Sequence, residues 1–145
     1  LICRRFLMLI ASRRMRKNML EIYLGKNRVR NKTLLEQLGK YGVPYITYQP
    51  TEITRAIIIK MMKCSPDCFD FLSTDMLRYK RREDVTVNTL VDIVLKNTVK
   101  HLRLPIIVQN NHVYADVSSD DVRAFIPRKV KVDLYRKSLR EEIEV

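Results

Sequence analysis

The sequence predicts one α/β domain in which helices layer onto a sheet. Three observations carry that expectation. A strand, a helix and a second strand follow one another within residues 20–48, about the length a parallel crossover requires. Helical patterns then fill residues 55–99. A proline-led β-hairpin and one more helix occupy residues 104–126. The order β-α-β, helices, β-β-α reads as an α/β sandwich with a helical insertion.

Each element has a local reason. Leu20, Ile22 and Leu24 alternate with Glu21 and Tyr23, the period of a strand, and Gly25 ends it. Residues 26–31 read as a polar loop leading into a helix whose Leu34, Leu35 and Leu38 recur at helical spacing. Gly39 and Gly42 bracket its end. Pro44 introduces the β-rich run Tyr45-Ile46-Thr47-Tyr48. Thr54 suits a helix N-cap for residues 55–63, where Ile57, Ile58, Met61 and Met62 form a core stripe. Residues 69–79 predict a short helix, and residues 87–99 a longer one with Asn88 as its cap and Leu90, Val91, Val94 and Leu95 as its apolar stripe. Ile106-Ile107-Val108-Gln109, the turn pair Asn110-Asn111 and His112-Val113-Tyr114-Ala115 predict a hairpin. Ser118 or Ser119, followed by Asp120 and Asp121, opens a helix that Pro127 stops.

The chain has 145 residues, 46% hydrophobic and 30% charged, enough apolar surface for a folded core. No run approaches the roughly 20 apolar residues of a membrane-spanning helix. Three cysteines do not make a secreted disulfide scaffold. The formal charge is +12, but Arg4, Arg5, Arg13, Arg14, Arg16 and Lys17 supply half of it with no acid among them. The remaining 22 basic and 16 acidic residues leave +6, which weakens a nucleic-acid reading based on charge alone. Residues 1–18 are expected to be an extension outside the fold, residues 19–137 the domain, and residues 138–145 a charged C-terminal tail.

The chemistry-bearing residues are sparse. Cys64 and Cys68 stand four apart, without the further Cys or His ligands that would complete a zinc site. His101 is expected at a helix end on the surface, and His112 on the hairpin. No Ser-His-Asp order, phosphate loop or carboxylate pair is present. Lys26, Arg28, Arg30 and Lys32 gather at a helix start, where anions are favoured.

From Leu102 onward the stretch LRLPIIVQNNHVYADVSSDDVRAFIPRKVK resembles the Spx/MgsR and ArsC-like family. Pro105 before three aliphatic residues, the hairpin, and the closing Phe125-Ile126-Pro127-Arg128-Lys129-Val130 carry the resemblance. MLEIYL followed by a helix and Gly-Val-Pro fits the family's first half, so the resemblance spans residues 19–137. It implies a thioredoxin-like (ArsC-like) mixed sheet with a helical insertion, and a cis peptide at Leu104-Pro105.

The resemblance also implies two alternatives. One is a cytoplasmic stress-response regulator that binds the C-terminal domain of the RNA polymerase α subunit. It would reach promoter DNA only through the polymerase complex, and a ClpXP-type protease could remove it. The other is an arsenate reductase-like oxidoreductase, here using the displaced Cys64 or Cys68. The family's CxxC positions fall on Arg28 and Asn31, neither of which can form a thiolate or a disulfide. Leu104 stands where the family often has an arginine. No catalytic, redox, cofactor or metal residue is therefore carried over, and a binding module is the expected class. In the family the polymerase contact comes from the insertion, which maps here near Lys63, Asp67 and Asp75; the charge of the loop at the start of the first helix makes Arg28 a further expected contact.

Overall fold

The fold is taken from a computed structural model that describes residues 19–126 and 128–144; the expected extension at residues 1–18 lies outside them. The elements are β1 (Leu20–Tyr23), α1 (Arg28–Lys40), β2 (Tyr45–Tyr48), α2 (Arg55–Cys64), α3 (Val87–Lys96), α4 (Thr98–His101), β3 (Ile106–Gln109), β4 (His112–Tyr114) and α5 (Arg128–Glu144). Short 3-10 turns cover Pro50–Glu52, Cys68–Asp70, Thr74–Tyr79 and Ser119–Phe125.

The four strands form one mixed sheet in the order β2-β1-β3-β4. β1 and β2 run parallel, with Tyr23 beside Tyr48, as a crossover through α1 demands. β3 is antiparallel to both β1 and β4. Asn110 and Asn111 take positive φ values of 49° and 63°, the two-residue turn that matches strand twist in a hairpin. The Leu104–Pro105 peptide is cis. This strand order and chain direction are those of a thioredoxin-like mixed sheet, with α2, α3 and the turns between them as a helical insertion.

Strand alternation sends residues to two separate cores. Leu20, Ile22, Leu24 and Ile107 face α1 and the Ser119–Phe125 turn, where Leu34, Leu38, Val122 and Phe125 close over them. Tyr23, Ile106 and Val108 face the insertion, packing with Ile58, Met61, Phe71, Leu72, Met76, Val91 and Val94. The period-two pattern read in the sequence is thus a partition of one sheet between two helical layers.

Several boundaries differ from the sequence expectation. α1 starts at Arg28 and not after a loop ending at Asn31, because the Asn27 side chain accepts the Arg30 N–H (3.1 Å) and caps the helix there. At its other end Gly42 turns left-handed (φ 67°), and the Val43 N–H returns to the Leu38 carbonyl at 3.0 Å. Thr54 caps α2. Thr86, not Asn88, caps α3 by accepting the Thr89 N–H at 3.2 Å. Asn97 ends α3 and caps α4 through the Lys100 N–H (3.2 Å), so the helix expected over 87–99 is broken there. The helix expected over 69–79 is two 3-10 turns, since Leu72 between them pairs as a β-bridge with Leu102. The turn at Ser119–Phe125 is 3-10, held by Asp121, which accepts both the Ser118 N–H and hydroxyl. α5 runs unbroken through residue 137.

Candidate functional site

The junction between β1 and α1 is the position where a thiol chemistry of the expected family would have to sit. Its backbone is closed by an amide. Asn31 Nδ2 donates to the Gly25 carbonyl (2.8 Å), and Asn31 Oδ1 accepts the Gly25 N–H (3.1 Å). Both polar groups of one side chain thereby satisfy both backbone groups of one residue. Gly25 lies against Leu104, since a Cβ there would sit 3.4 Å from the Leu104 Cβ. Arg28 stands exposed at the first position of α1. It lines a groove of about 790 Å³ with Leu24, Asn31, Leu35, Tyr45 and Gln49.

The basic cluster read in the sequence is only partly available to a ligand. Arg30 Nη2 donates to the Asp116 carbonyl (3.0 Å), the Asp116 carboxylate (2.8 Å) and the Val117 carbonyl (3.1 Å). It ties α1 to the segment that leaves β4. Lys32 pairs along the helix with Glu36 at 3.9 Å. Lys26 and Arg28 remain as the exposed cations of the junction.

In the insertion, the two acids expected at a contact surface are part-exposed and also bonded within the insertion. Asp75 accepts from Ser73 Oγ through one carboxylate oxygen and lies 3.0 Å from His101 Nδ1 through the other. The Ser73 hydroxyl, and then His101, hold the Asp75 carboxyl below the usual carboxylate range. Asp67 accepts the Phe69 N–H (3.0 Å) and the Lys80 ammonium (2.9 Å), and the Lys80 hydrogen bond does most to hold its carboxyl low. His101, expected at the surface, is 8% exposed. Its partner is 26 residues away in sequence, which is why spacing alone missed the pair.

A strap fixes this unit to the sheet. The Ser73 N–H donates to the His101 carbonyl (2.8 Å), and the Arg103 N–H to the Phe71 carbonyl (3.0 Å). Arg103 Nε also donates to the Leu72 carbonyl (2.8 Å). The insertion exposes the cations Lys63, Arg78 and Arg81 beside the acids Asp70, Glu83 and Asp84, with Arg82 paired to Asp84 at 3.1 Å and Arg78 4.9 Å from the centre of the Tyr79 ring.

Cys64 and Cys68 are free and half-buried. α2 begins beyond the end of β2 and runs back along the sheet, and Lys60 in its middle pairs with Glu21 of β1 (2.8 Å). Burial pushes the Cys68 thiol up, and Asp67 adds to that. This is the opposite of what activates a nucleophilic cysteine. Among the described residues, no three His, Cys, Asp or Glu side chains gather as a metal would need, and no helix is long and apolar enough to cross a membrane.

Comparison with known proteins gives a likeness to the global transcriptional regulator Spx of Streptococcus mutans, 33% identical over 63 residues. The match takes in 43% of this chain, and the chain spans 45% of that relative's length. No family model matches. Among solved structures, an arsenate reductase (ArsC) related protein from Brucella melitensis superposes with a TM-score of 0.49 at 13% identity, over 73% of this chain and 92% of that one.

Proposed function

We propose that the chain is an Spx-like transcriptional regulator that docks on the C-terminal domain of the RNA polymerase α subunit and works without a thiol/disulfide switch. One observation supports the second half of this reading above all others. Arg28 and Asn31 occupy the first β–α junction, and Asn31 closes it through two hydrogen bonds to Gly25. A bond made by an amide has no oxidised and reduced forms, so the junction keeps one shape in either buffer.

The docking surface is read as the insertion. Lys63 is an exposed cation at the end of α2, and Arg78 and Arg81 are further exposed cations of the insertion. Asp67 and Asp75, both still part-exposed, are further contacts in this reading, and their bonds to Lys80 and His101 also fix the turns that carry the surface. Arg28 is a second contact, from the other side of the fold. The regulator would act by its abundance, through a ClpXP-type protease, in the cytoplasm, and would touch promoter DNA only with the polymerase. The alternative, an arsenate reductase-like enzyme built on Cys64 or Cys68, has a raised Cys68 thiol and no cysteine at the junction against it.

Co-purification with the isolated C-terminal domain of polymerase α tests the reading. Capture is expected to be equal in reducing and oxidising buffer, to weaken with salt, and to fall on Lys63→Glu. No capture in any buffer sinks the partner assignment. Capture that rises with oxidant, and loses that rise on Cys64→Ser or Cys68→Ser, sinks the claim that no thiol switch operates.

A further inference from the structure

We propose that α5 is a self-association element, pairing antiparallel with α5 of a second copy of this chain. The helix leaves the fold almost at once. Val130 packs against the core beneath α1, and residues 131–140 are all exposed. Val132, Tyr135 and Leu139 are 39%, 66% and 38% exposed. Their spacing of three and four residues places them in one stripe along the helix, and Ile143 continues the same spacing in the sequence.

The charge pattern says what covers that stripe. α5 opens with Arg128, Lys129 and Lys131 and ends with Glu141, Glu142 and Glu144. Its first turn has no acid and its last turn no base. Bases at the positive end of a helix and acids at the negative end both oppose the macrodipole, so the isolated helix is charged the wrong way round at each end. An antiparallel copy corrects both ends together. It sets the acidic end of one helix beside the basic start of the other, and two-fold symmetry repeats the contact.

The stripe fits that arrangement as well. Placing Val132 opposite Leu139 of the second copy brings the two Tyr135 positions to either side of the two-fold axis and sets position 129 level with position 142, so the apolar seam and the charged flanks share one register. Other occupants fit less well. Parallel pairing would set base against base. The leading segment of residues 1–18 has six bases and no acid, and offers no complement to the basic start. A nucleic-acid backbone would be repelled by Glu141, Glu142 and Glu144.

Sedimentation of the full chain over a dilution series, at low and high salt, tests the proposal. A dimer that dissociates on dilution and with salt is expected. Two charge-reversed variants then decide the geometry. One carries Arg128→Glu, Lys129→Glu and Lys131→Glu; the other carries Glu141→Lys, Glu142→Lys and Glu144→Lys. Each reversal suits the helix dipole, so helicity by circular dichroism is kept while each variant alone sediments as a monomer. Mixed, the two restore the dimer as a heterodimer. A wild type that stays monomeric at low salt, a single variant that still dimerises, or a mixture that stays monomeric overturns the proposal. So does a monomeric wild type that shifts duplex DNA and loses the shift when the basic start is reversed.

Discussion

At the β1–α1 junction the polar side chains bond mainly to backbone, whereas in the insertion they bond mainly to one another. Asn31 meets Gly25 N–H and C=O, and Arg30 meets two carbonyls beside the Asp116 carboxylate. In the insertion, Ser73, Asp75 and His101 form one set and Asp67 with Lys80 another. The difference sets what each region responds to. An amide bonded to a peptide has no group that titrates near neutrality. The Asp75 carboxyl, held low first by the Ser73 hydroxyl and then by His101, ties the insertion to acid pH in a way the junction is not.

That contrast can be broken in three ways. The largest effect is expected from the apolar anchor of the insertion, because Phe71 is fully buried between the two 3-10 turns. Phe71→Ala should cost about 3–5 kcal/mol in urea denaturation. A loss smaller than that of any junction variant would mean the insertion is attached by its charges after all.

Asn31→Ala should come next, at about 1–3 kcal/mol, since it leaves both Gly25 backbone groups without their partner. The loss should be the same at neutral and mildly acidic pH, and the Gly25 amide should exchange faster. Asn31→Asp keeps the acceptor for the Gly25 N–H but sets a carboxylate against the Gly25 carbonyl, so it should not restore stability.

The smallest effect is a change of shape in the pH profile. The folded Asp75 carboxyl lies below its unfolded value, so the folded state releases its proton more readily. Its stabilisation is complete above the ordinary carboxylate range and is lost as pH falls through that range toward the folded value. Asp75→Asn should flatten that acid limb of the stability curve. An unchanged limb would move the acid sensitivity elsewhere, with Asp67 the next candidate because its carboxyl is also held low.

The two regions are unequally legible in the sequence. Strand alternation at Leu20, Ile22 and Leu24 announces the sheet because burial on one face is written at period two. The start of α1 is hidden by Arg28 and Arg30, which no rule of helix starts would choose, although Asn27 is there to cap it. Arg28 and Asn31 can be picked out by position, but that Asn31 reaches back to Gly25 is visible only in three dimensions. Asp67 and Asp75 are picked out by the positions onto which the family's contact surface maps. Their bonds to Lys80 and His101 are visible only in three dimensions, since those partners lie well along the chain. The end of α5 reads as a charged tail because apolar residues there are few, and Leu139 is exposed.

The strap between residues 71–73 and 101–103 has one more consequence. It makes the chain between those segments a closed loop whose ends are fixed by the fold itself. Residues 80–84 lie on the outer side of that loop and are all exposed. Adding chain to a loop already closed is cheap, since each doubling of its length costs about 0.6 kcal/mol. The bend at 80–84 is therefore where related chains can differ most in length, and where a peptide could be grafted, with the sheet and both cores left as they are.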